Sequence, residues 1–389
     1  MTGPSVPGPV KGLSLVSLFN DFASEMVYPL LPAFVVGTLG GGALALGALD
    51  GAADLTSAAI KVVSGRLADR SGWRRPLILV GYLTAVLVRP LISVAGSAWQ
   101  VVGFRVIDRV GKGIRTPPRD ALIVEVTPPP LRGRAFGFHR GADHFGAVLG
   151  SLAAWYFLTV GADVRSVIAW SVVPGLFAFV VLAVVLRGAR GPGTATAASA
   201  TGDAAGRVFW VPVLVLAALA FFRLPETLLI LRLQDRGVPV ATVPLVWAGL
   251  HVVRSASSYP GGWLSDRLGP ANAIAAGGAL FATVAAVLAL ALSPTATVVA
   301  FLAIGLVAGL TEAAERVVVA RLAPRRTGRG FGAYHAVTGI MALPAGLLFG
   351  AAYESWGGST ALAVSALGML LAAASWLAAS PRNTIGDSE

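Results

Sequence analysis

Residues 65–70 read Gly65-Arg-Leu-Ala-Asp-Arg70, and residues 262–267 read Gly262-Trp-Leu-Ser-Asp-Arg267. A second pair, Gly133-Arg-Ala-Phe-Gly137 and Gly328-Arg-Gly-Phe-Gly332, stands at nearly the same offset, about half of the 389-residue chain. Two matches at one offset mark a tandem duplication. Two halves of similar build are therefore expected, residues 1–187 and 208–389. Residues 188–207, GARGPGTATAASATGDAAGR, carry no apolar periodicity and read as a flexible linker.

What surrounds these repeats is apolar. Hydrophobic residues make up 56% of the chain and charged residues only 13%, with a mean hydropathy of +0.76. Soluble domains carry roughly 25% charged residues, so the chain is read as an integral membrane protein. Uncharged runs at 167–186 and 359–380 are long enough to span a bilayer, and 271–310 is long enough to span it twice, with Ser293-Pro294 as the turn. Twelve helices are expected, near 12–37, 43–65, 76–96, 98–121, 134–160 and 164–187, then 208–234, 241–262, 271–292, 296–320, 328–352 and 358–380. The fold class is all-α, with two pseudo-symmetric six-helix bundles.

The net charge of +11 would suit a nucleic-acid partner, but its distribution does not. Lys and Arg gather at every second connection: Arg66, Arg70, Arg74 and Arg75, then Arg132 and Arg134, then Arg187, Arg190 and Arg207, then Arg267, then Arg325, Arg326 and Arg329. The alternate connections hold little beyond Arg165 and Arg236. By the positive-inside rule both termini are cytoplasmic, and the lipid bilayer, not nucleic acid, is the expected partner. The first apolar segment carries Asp21 and Glu25 and lacks a cleavage site, so it reads as a retained span. There is no cysteine, hence no thiol chemistry.

At Gly65-Arg-Leu-Ala-Asp-Arg-Ser-Gly-Trp-Arg-Arg-Pro-Leu77 the chain resembles the major facilitator superfamily, whose loop signature is G-x-L-a-D-R-x-G-[RK]-[RK]. Trp73 departs from it, while Arg74 and Arg75 keep the charge. Arg109-Val-Gly-Lys112-Gly113 resembles the superfamily's second motif, whose Arg faces the cavity and is tied to proton transfer. The ladder Gly137, Gly141, Gly146 and Gly150 lacks the proline of the drug-antiporter motif. Residues 20–32 and 110–123 are similar to bacterial facilitators of efflux type.

The resemblance implies a monomeric secondary transporter of the bacterial cytoplasmic membrane that works by alternating access, with its substrate site at midplane between the halves. It also implies a cytoplasmic gate at Gly65, Asp69, Arg70, Arg74 and Arg119, with Asp266 and Arg267 as the repeat. Gly65 is expected to permit close helix approach, and Asp69 to latch onto a helix N-terminus or an Arg.

Ionisable residues inside spans are functional candidates by default. Asp21 and Glu25 share one face of the first helix as a possible proton-binding pair. On the fourth helix Arg105, Asp108, Arg109 and Lys112 recur at helical spacing and are expected to reach the cavity, with Arg115 and Arg119 at its cytoplasmic mouth. The fifth helix offers His139, Arg140, Asp143 and His144, with Arg140 at contact spacing from Asp143 and His144. The tenth offers Glu312, Glu315 and Arg316. Glu312 and Arg316 are expected to neutralise each other, leaving Glu315 the freer acid. Arg223 and Glu226, His251 and Arg254, and His335 complete the set.

Glu25, Asp21, Arg109, Asp143, Glu312 and Glu315 are thus the proton-coupling candidates, and the others line the cavity or the gate. Structural helix-to-helix salt bridges explain many of them equally well. No metal-ligand or hydrolase spacing is present: His139 and His144 stand five apart, with no H-E-x-x-H and no G-x-S-x-G. No metal, no cofactor and no enzymatic activity is expected. For a transporter of this resemblance the leading expectation is export of a small organic compound in exchange for protons, and the surplus of cations in the core points to a compound that is anionic or zwitterionic. Proton-coupled uptake, efflux of lipophilic cations, and a non-transporting sensor on the same fold are the alternatives.

Overall fold

A computed structural model describes residues 6–68, 70, 72–128, 131–188, 207–290, 293–322 and 327–379. Asp69 and positions 189–206 of the expected linker lie outside the described residues, as does the side chain of Asp266. No strand occurs among the described residues.

The first helix, α1 (Gly8–Val27), continues through a 3₁₀ turn at Tyr28–Leu30 and a π-helical turn at Ala33–Thr38. Pro29 and Pro32 explain the change of pitch, because each removes a backbone donor and crowds the preceding turn. Next come α2 (Ala43–Ala68), α3 (Arg74–Leu91), α4 (Ala98–Val126) and α5 (Arg132–Thr159). A single expected helix is broken at Ser171 into α6 (Val164–Trp170) and α7 (Val172–Gly188). Asp163 caps α6 by accepting from the Ser166 N–H at 3.3 Å.

The seventh expected helix is also divided, into α8 (Arg207–Phe222) and α9 (Glu226–Asp235). Pro225 breaks it: Pro cannot donate to the preceding turn, and it pushes residue 224 out of helical geometry. The remaining helices are α10 (Val243–Leu268), α11 (Pro270–Ala289), α12 (Pro294–Leu322) and α13 (Thr327–Ala379). The last is two helices joined at Gly357, whose φ of 82° lies in the left-handed region. Taking α6 with α7, α8 with α9, and α13 as two, the described residues form twelve helical rods.

Seven helical stretches among the described residues are long and apolar enough to cross a membrane. The other long helices, α1, α4, α5 and α10, interrupt their apolar character with the charged and His residues picked out above. Glu25 of α1, Arg105 and Arg109 of α4, and His251 and Arg254 of α10 turn towards the centre of the bundle. Exposed Leu87, Val94, Val180, Val184, Leu367 and Leu371 form part of the apolar outer face, a belt suited to hydrocarbon and far larger than soluble monomers expose.

Helices α1 to α7 pack among themselves, as do α8 to α13, and the two groups meet where α2 lies on α13 and α5 on α10. In the α2–α13 seam, Gly47 and Gly346 stand so close that a Cβ on either would strike the other's carbonyl group. A Cβ at Gly51 would lie 2.6 Å from the Ala342 O, and one at Gly350 2.8 Å from the Ala43 O. Small residues four apart on both helices allow this backbone contact, which in lipid is driven by packing rather than by water exclusion. Of the α5 glycine ladder, Gly146 and Gly150 abut the backbone of α1 at Leu18 and Phe22, while Gly137 and Gly141 face open space.

Candidate functional site

A cavity of about 560 Å³ lies between the two groups of helices. Its wall carries six Lys or Arg side chains (Lys61, Arg105, Arg109, Lys112, Arg223 and Arg254) against four carboxylates (Glu25, Asp50, Asp54 and Glu226), with His251, His335, Tyr28 and Trp247. Helical periodicity places them there. Asp50, Asp54 and Lys61 fall four and seven apart on α2, and Arg105, Arg109 and Lys112 four and three apart on α4, so each set forms one inward stripe.

Carboxylates hold the deep part of the cavity together across the halves. Glu25 Oε2 accepts from the Trp247 indole N–H at 2.8 Å and lies 3.9 Å from His251 Nε2. Asp50 accepts from the Tyr28 hydroxyl at 3.1 Å, from the Thr227 hydroxyl at 2.8 Å and from the Thr227 N–H at 3.0 Å. Glu354 near the end of the eleventh rod accepts from the Leu44 N–H at 3.0 Å. These cross-half bonds lie from mid-bundle towards the end that holds Ala43. The halves are therefore closed at that end, opposite the one where Gly8 and Ala379 sit. On the α5–α10 side the rings of His144 and His251 face each other at 6.3 Å.

Several sequence candidates line the cavity: Glu25, Arg105, Arg109, Lys112, Arg223, Glu226, His251, Arg254 and His335. Others do not. Asp108 is fully buried inside the first half, 3.0 Å from Arg89 and 3.5 Å from Arg105, a scaffold position where its charge is neutralised away from the cavity. His139 is buried between α1 and α5, 3.4 Å from Ser14 Oγ and 3.8 Å from Asp143. Asp143 thus faces His139, one turn before it, and not Arg140, which is exposed on α5. Asp21 takes a hydrogen bond from Asn20 at 2.9 Å and lies within electrostatic range of Asp143 and Lys112.

Glu315 is not the free acid that spacing suggested. The Tyr334 hydroxyl donates to it at 2.6 Å and Arg223 stands 3.8 Å away, while Glu312 and Arg316 form a loose, exposed pair at 3.9 Å. Two long flexible side chains at the surface gain little from pairing, whereas Glu315 is shielded and needs partners.

Of the residues expected to form a gate, Arg74 reaches Glu125 at 2.6 Å and the Ala68 carbonyl at 2.8 Å. Arg119 pairs with Asp120 at 2.9 Å, and Arg267 covers the Trp263 ring at 3.9 Å. Arg115 is not at a mouth: it is buried, bonded to the Gly81 carbonyl at 3.0 Å and stacked on Tyr82. Gly65 is not a site of close approach, since a Cβ there would meet only Pro117 at 3.9 Å. Arg70 is exposed.

Sequence reasoning missed Asp50, Asp54, Lys61, Tyr28 and Trp247. The signal for the first three was present, as ionisable residues at helical spacing within an otherwise apolar second helix. The two aromatic residues gave none, because a membrane protein's aromatics are mostly packing or interface residues.

The family model of the Major Facilitator Superfamily matches residues 13–343 and again 227–388. The chain belongs to the major facilitator superfamily. It is 27% identical over 346 residues to an uncharacterized MFS-type transporter of Methanocaldococcus jannaschii, covering 87% of this chain and 86% of the relative. A shorter likeness, 32% over 133 residues, is to the multidrug resistance protein MdtH of Photorhabdus laumondii, covering 34% of this chain and 33% of that protein. Among solved structures, a bacterial homolog to the human lysosomal transporter Spinster, in an inward-facing and unoccupied conformation, superposes with a TM-score of 0.73. That match covers 95% of this chain and 96% of the other at 17% identity, and it speaks for the fold. This superfamily member is a multi-pass membrane transporter of small molecules.

Proposed function

We propose that this transporter exports a small anionic or zwitterionic organic compound across the bacterial cytoplasmic membrane in exchange for protons. Residues 1–187 and 208–389 act as the two rocking units. The observation that carries the reading is the wall of the cavity, where six cationic side chains outnumber four carboxylates at the junction of the halves. A ligand shifts an equilibrium between states only by its differential affinity for them. An anion held in the cavity supplies such a difference, because it offsets the surplus of cationic charge there more strongly when the halves close around it.

Lys and Arg cluster at the Gly8 end, which the positive-inside rule assigns to the cytoplasm. The closed end is then the outer one, and the cavity serves the cytoplasmic side. Glu25 is the leading proton carrier. It is a carboxylate in the cavity whose partners, Trp247 and His251, belong to the other half, so its protonation state and the closure of the halves are linked. The remaining acids proposed from sequence, Asp21, Asp143, Glu312 and Glu315, rank behind it because none lines the cavity. Arg109 lines the same cavity as Glu25, a cation whose electrostatic surroundings a proton on Glu25 or a bound substrate would change.

The test is a substrate screen in proteoliposomes with an imposed pH gradient and an internal pH dye. Substrate-dependent proton flux that disappears in Glu25→Gln supports antiport, and Glu25→Gln vesicles that keep full pH-driven transport overturn it. The likeness to the multidrug resistance protein MdtH favours a second reading, efflux of lipophilic drugs. In the same screen, proton flux driven by lipophilic cations and not by organic anions selects it.

A further inference from the structure

Sorting the cavity's cations by their partners separates two kinds. Arg105 is paired with Asp108 at 3.5 Å, Arg254 with Glu226 at 2.9 Å, and Arg223 with Glu315 at 3.8 Å. Lys61, Arg109 and Lys112 have no carboxylate within ion-pairing distance among the described residues. All three belong to the first half, on α2 and α4. Arg109 and Lys112 stand three apart on one helix face, where like charges repel, and Arg109 is the strongest electrostatic neighbour of Lys112. Lys61 also senses the charge of Arg109.

Such an arrangement is unfavourable unless something offsets it. Asp108, Asp54 and Glu25 lie within electrostatic range of Arg109, Asp54 and Asp120 of Lys61, and Asp21 of Lys112, but none of them closes to an ion pair with these three cations. Arg109 Nε, moreover, is shielded from solvent and has no hydrogen-bond partner. A shielded guanidinium N–H without an acceptor costs the desolvation of that group. It is the kind of position at which a bound oxyanion supplies the missing acceptor, and a guanidinium fork matches the geometry of carboxylate or phosphate oxygens.

We infer that Lys61, Arg109 and Lys112 form an anion subsite that holds a compact oxyanion group, a carboxylate or phosphate, on the transported compound. The inference rests on the reading of the cavity as the substrate site. It adds what that reading does not contain: the anionic end of the cargo docks on the α2–α4 wall of the first half, whereas Arg105, Arg223 and Arg254 already stand within ion-pairing distance of protein carboxylates. Of the three residues, Lys61 has no counterpart in the motifs of the sequence.

The experiment follows thermal unfolding of the full chain in detergent by its intrinsic Trp fluorescence. It is titrated with inorganic phosphate, with succinate, and with sodium chloride at matched ionic strength. The expected result is a saturable stabilisation by phosphate or succinate that chloride does not give, and the stronger of the two names the oxyanion. Lys61→Gln and Lys112→Gln should each weaken the apparent affinity about tenfold, the scale of one charge-assisted hydrogen bond. Arg109→Lys, which keeps the charge but loses the fork, should weaken it less than Arg109→Gln. Arg187→Gln, which removes the same charge from an exposed helix end, should titrate like the parent.

No saturable anion effect on the parent protein, or undiminished affinity in both lysine variants, overturns the subsite. If a variant does not fold, the remaining lysine variant and Arg109→Lys still decide the matter. Proton-coupled flux of a neutral or cationic compound that is unchanged in Lys61→Gln would overturn the subsite together with the anionic cargo, and leave the cavity standing as a proton-coupled transport site. Saturable phosphate binding lost in the variants, with no flux of any compound, would do the reverse.

Discussion

Asp50 of α2 caps the first turn of α9 in the other half of the molecule, accepting both the N–H and the hydroxyl of Thr227 at 3.0 and 2.8 Å. The break at Pro225 leaves the first turn of α9 with backbone donors that have no partner within the helix. A carboxylate is the favoured group there, through both hydrogen bonding and the helix dipole. Usually the cap comes from the preceding residue. Here it comes from the opposite half, so capping and closure are one event, and the Tyr28 hydroxyl secures the same carboxylate.

Asp50→Leu should therefore favour opening at the Ala43 end. Hydrogen bonds to a charged group contribute about 1.5–3 kcal/mol each, enough to move an equilibrium by tenfold or more. Because the chain has no cysteine, a Leu46→Cys reporter can be labelled without background. Faster labelling of buried Leu46→Cys by an impermeant maleimide is expected in Asp50→Leu and in Thr227→Val, and unchanged rates in both would refute the cap as a latch.

Gly346→Val should block closure of the same end without unfolding the protein. Its side chain would meet the Gly47 carbonyl and the backbone near Gly51, which the seam has no room to move aside. Expected are a monodisperse protein, loss of transport and fast labelling of Leu46→Cys. Transport at the parent rate would show that the two helices need not touch.

Asp108→Asn leaves Arg89 and Arg105 buried with uncompensated charge, which costs about 3–5 kcal/mol. Arg89 Nε donates to Asp108 at 3.0 Å while its Nη1 donates to the Asn20 carbonyl of α1 at 2.9 Å, so the cluster ties three helices together. A large fall in melting temperature in detergent is predicted for Asp108→Asn. The double change Asp108→Asn with Arg89→Met should recover part of it, since one of the stranded cations is gone.

Hydrogen bonding from Ser166, by its hydroxyl first and then by its N–H, holds the carboxyl of Asp163, in the exposed turn before α6, below the usual carboxylate range. A depressed folded value means that the stabilisation is fully present above the ordinary carboxylate pKa and is lost as pH falls through the depressed value. Asp163→Asn should remove this acid-side dependence from the thermal stability of the protein. Equal acid sensitivity in Asp163→Asn and the parent would assign no role to the cap.

Membrane residence, the helix boundaries of most rods and the duplicated plan could be read from the chain itself. Each rests on local features: apolar runs, proline and glycine punctuation, and motifs repeated at one offset. Proline also told of trouble in the seventh helix, where Leu224-Pro225 stands, although the break was not anticipated. Stripes on single helices were equally legible, and nine candidates, Glu25, Arg109 and His335 among them, line the cavity that the helices enclose.

Pairing was legible only in part. Spacing along one helix nominated Glu312 with Arg316, which do form a loose pair, and Arg140 with Asp143, whereas Asp143 faces His139 four residues before it and Glu315 takes Tyr334 and Arg223 from other rods. A buried charge is satisfied by whatever the packing brings within about 4 Å, and which helix that is depends on contacts far apart in the chain. The sequence alone determined that this is a two-part bundle with charge inside it. Only the tertiary structure decided which charges cancel, which remain to meet a ligand, and that Asp50 closes one half upon the other.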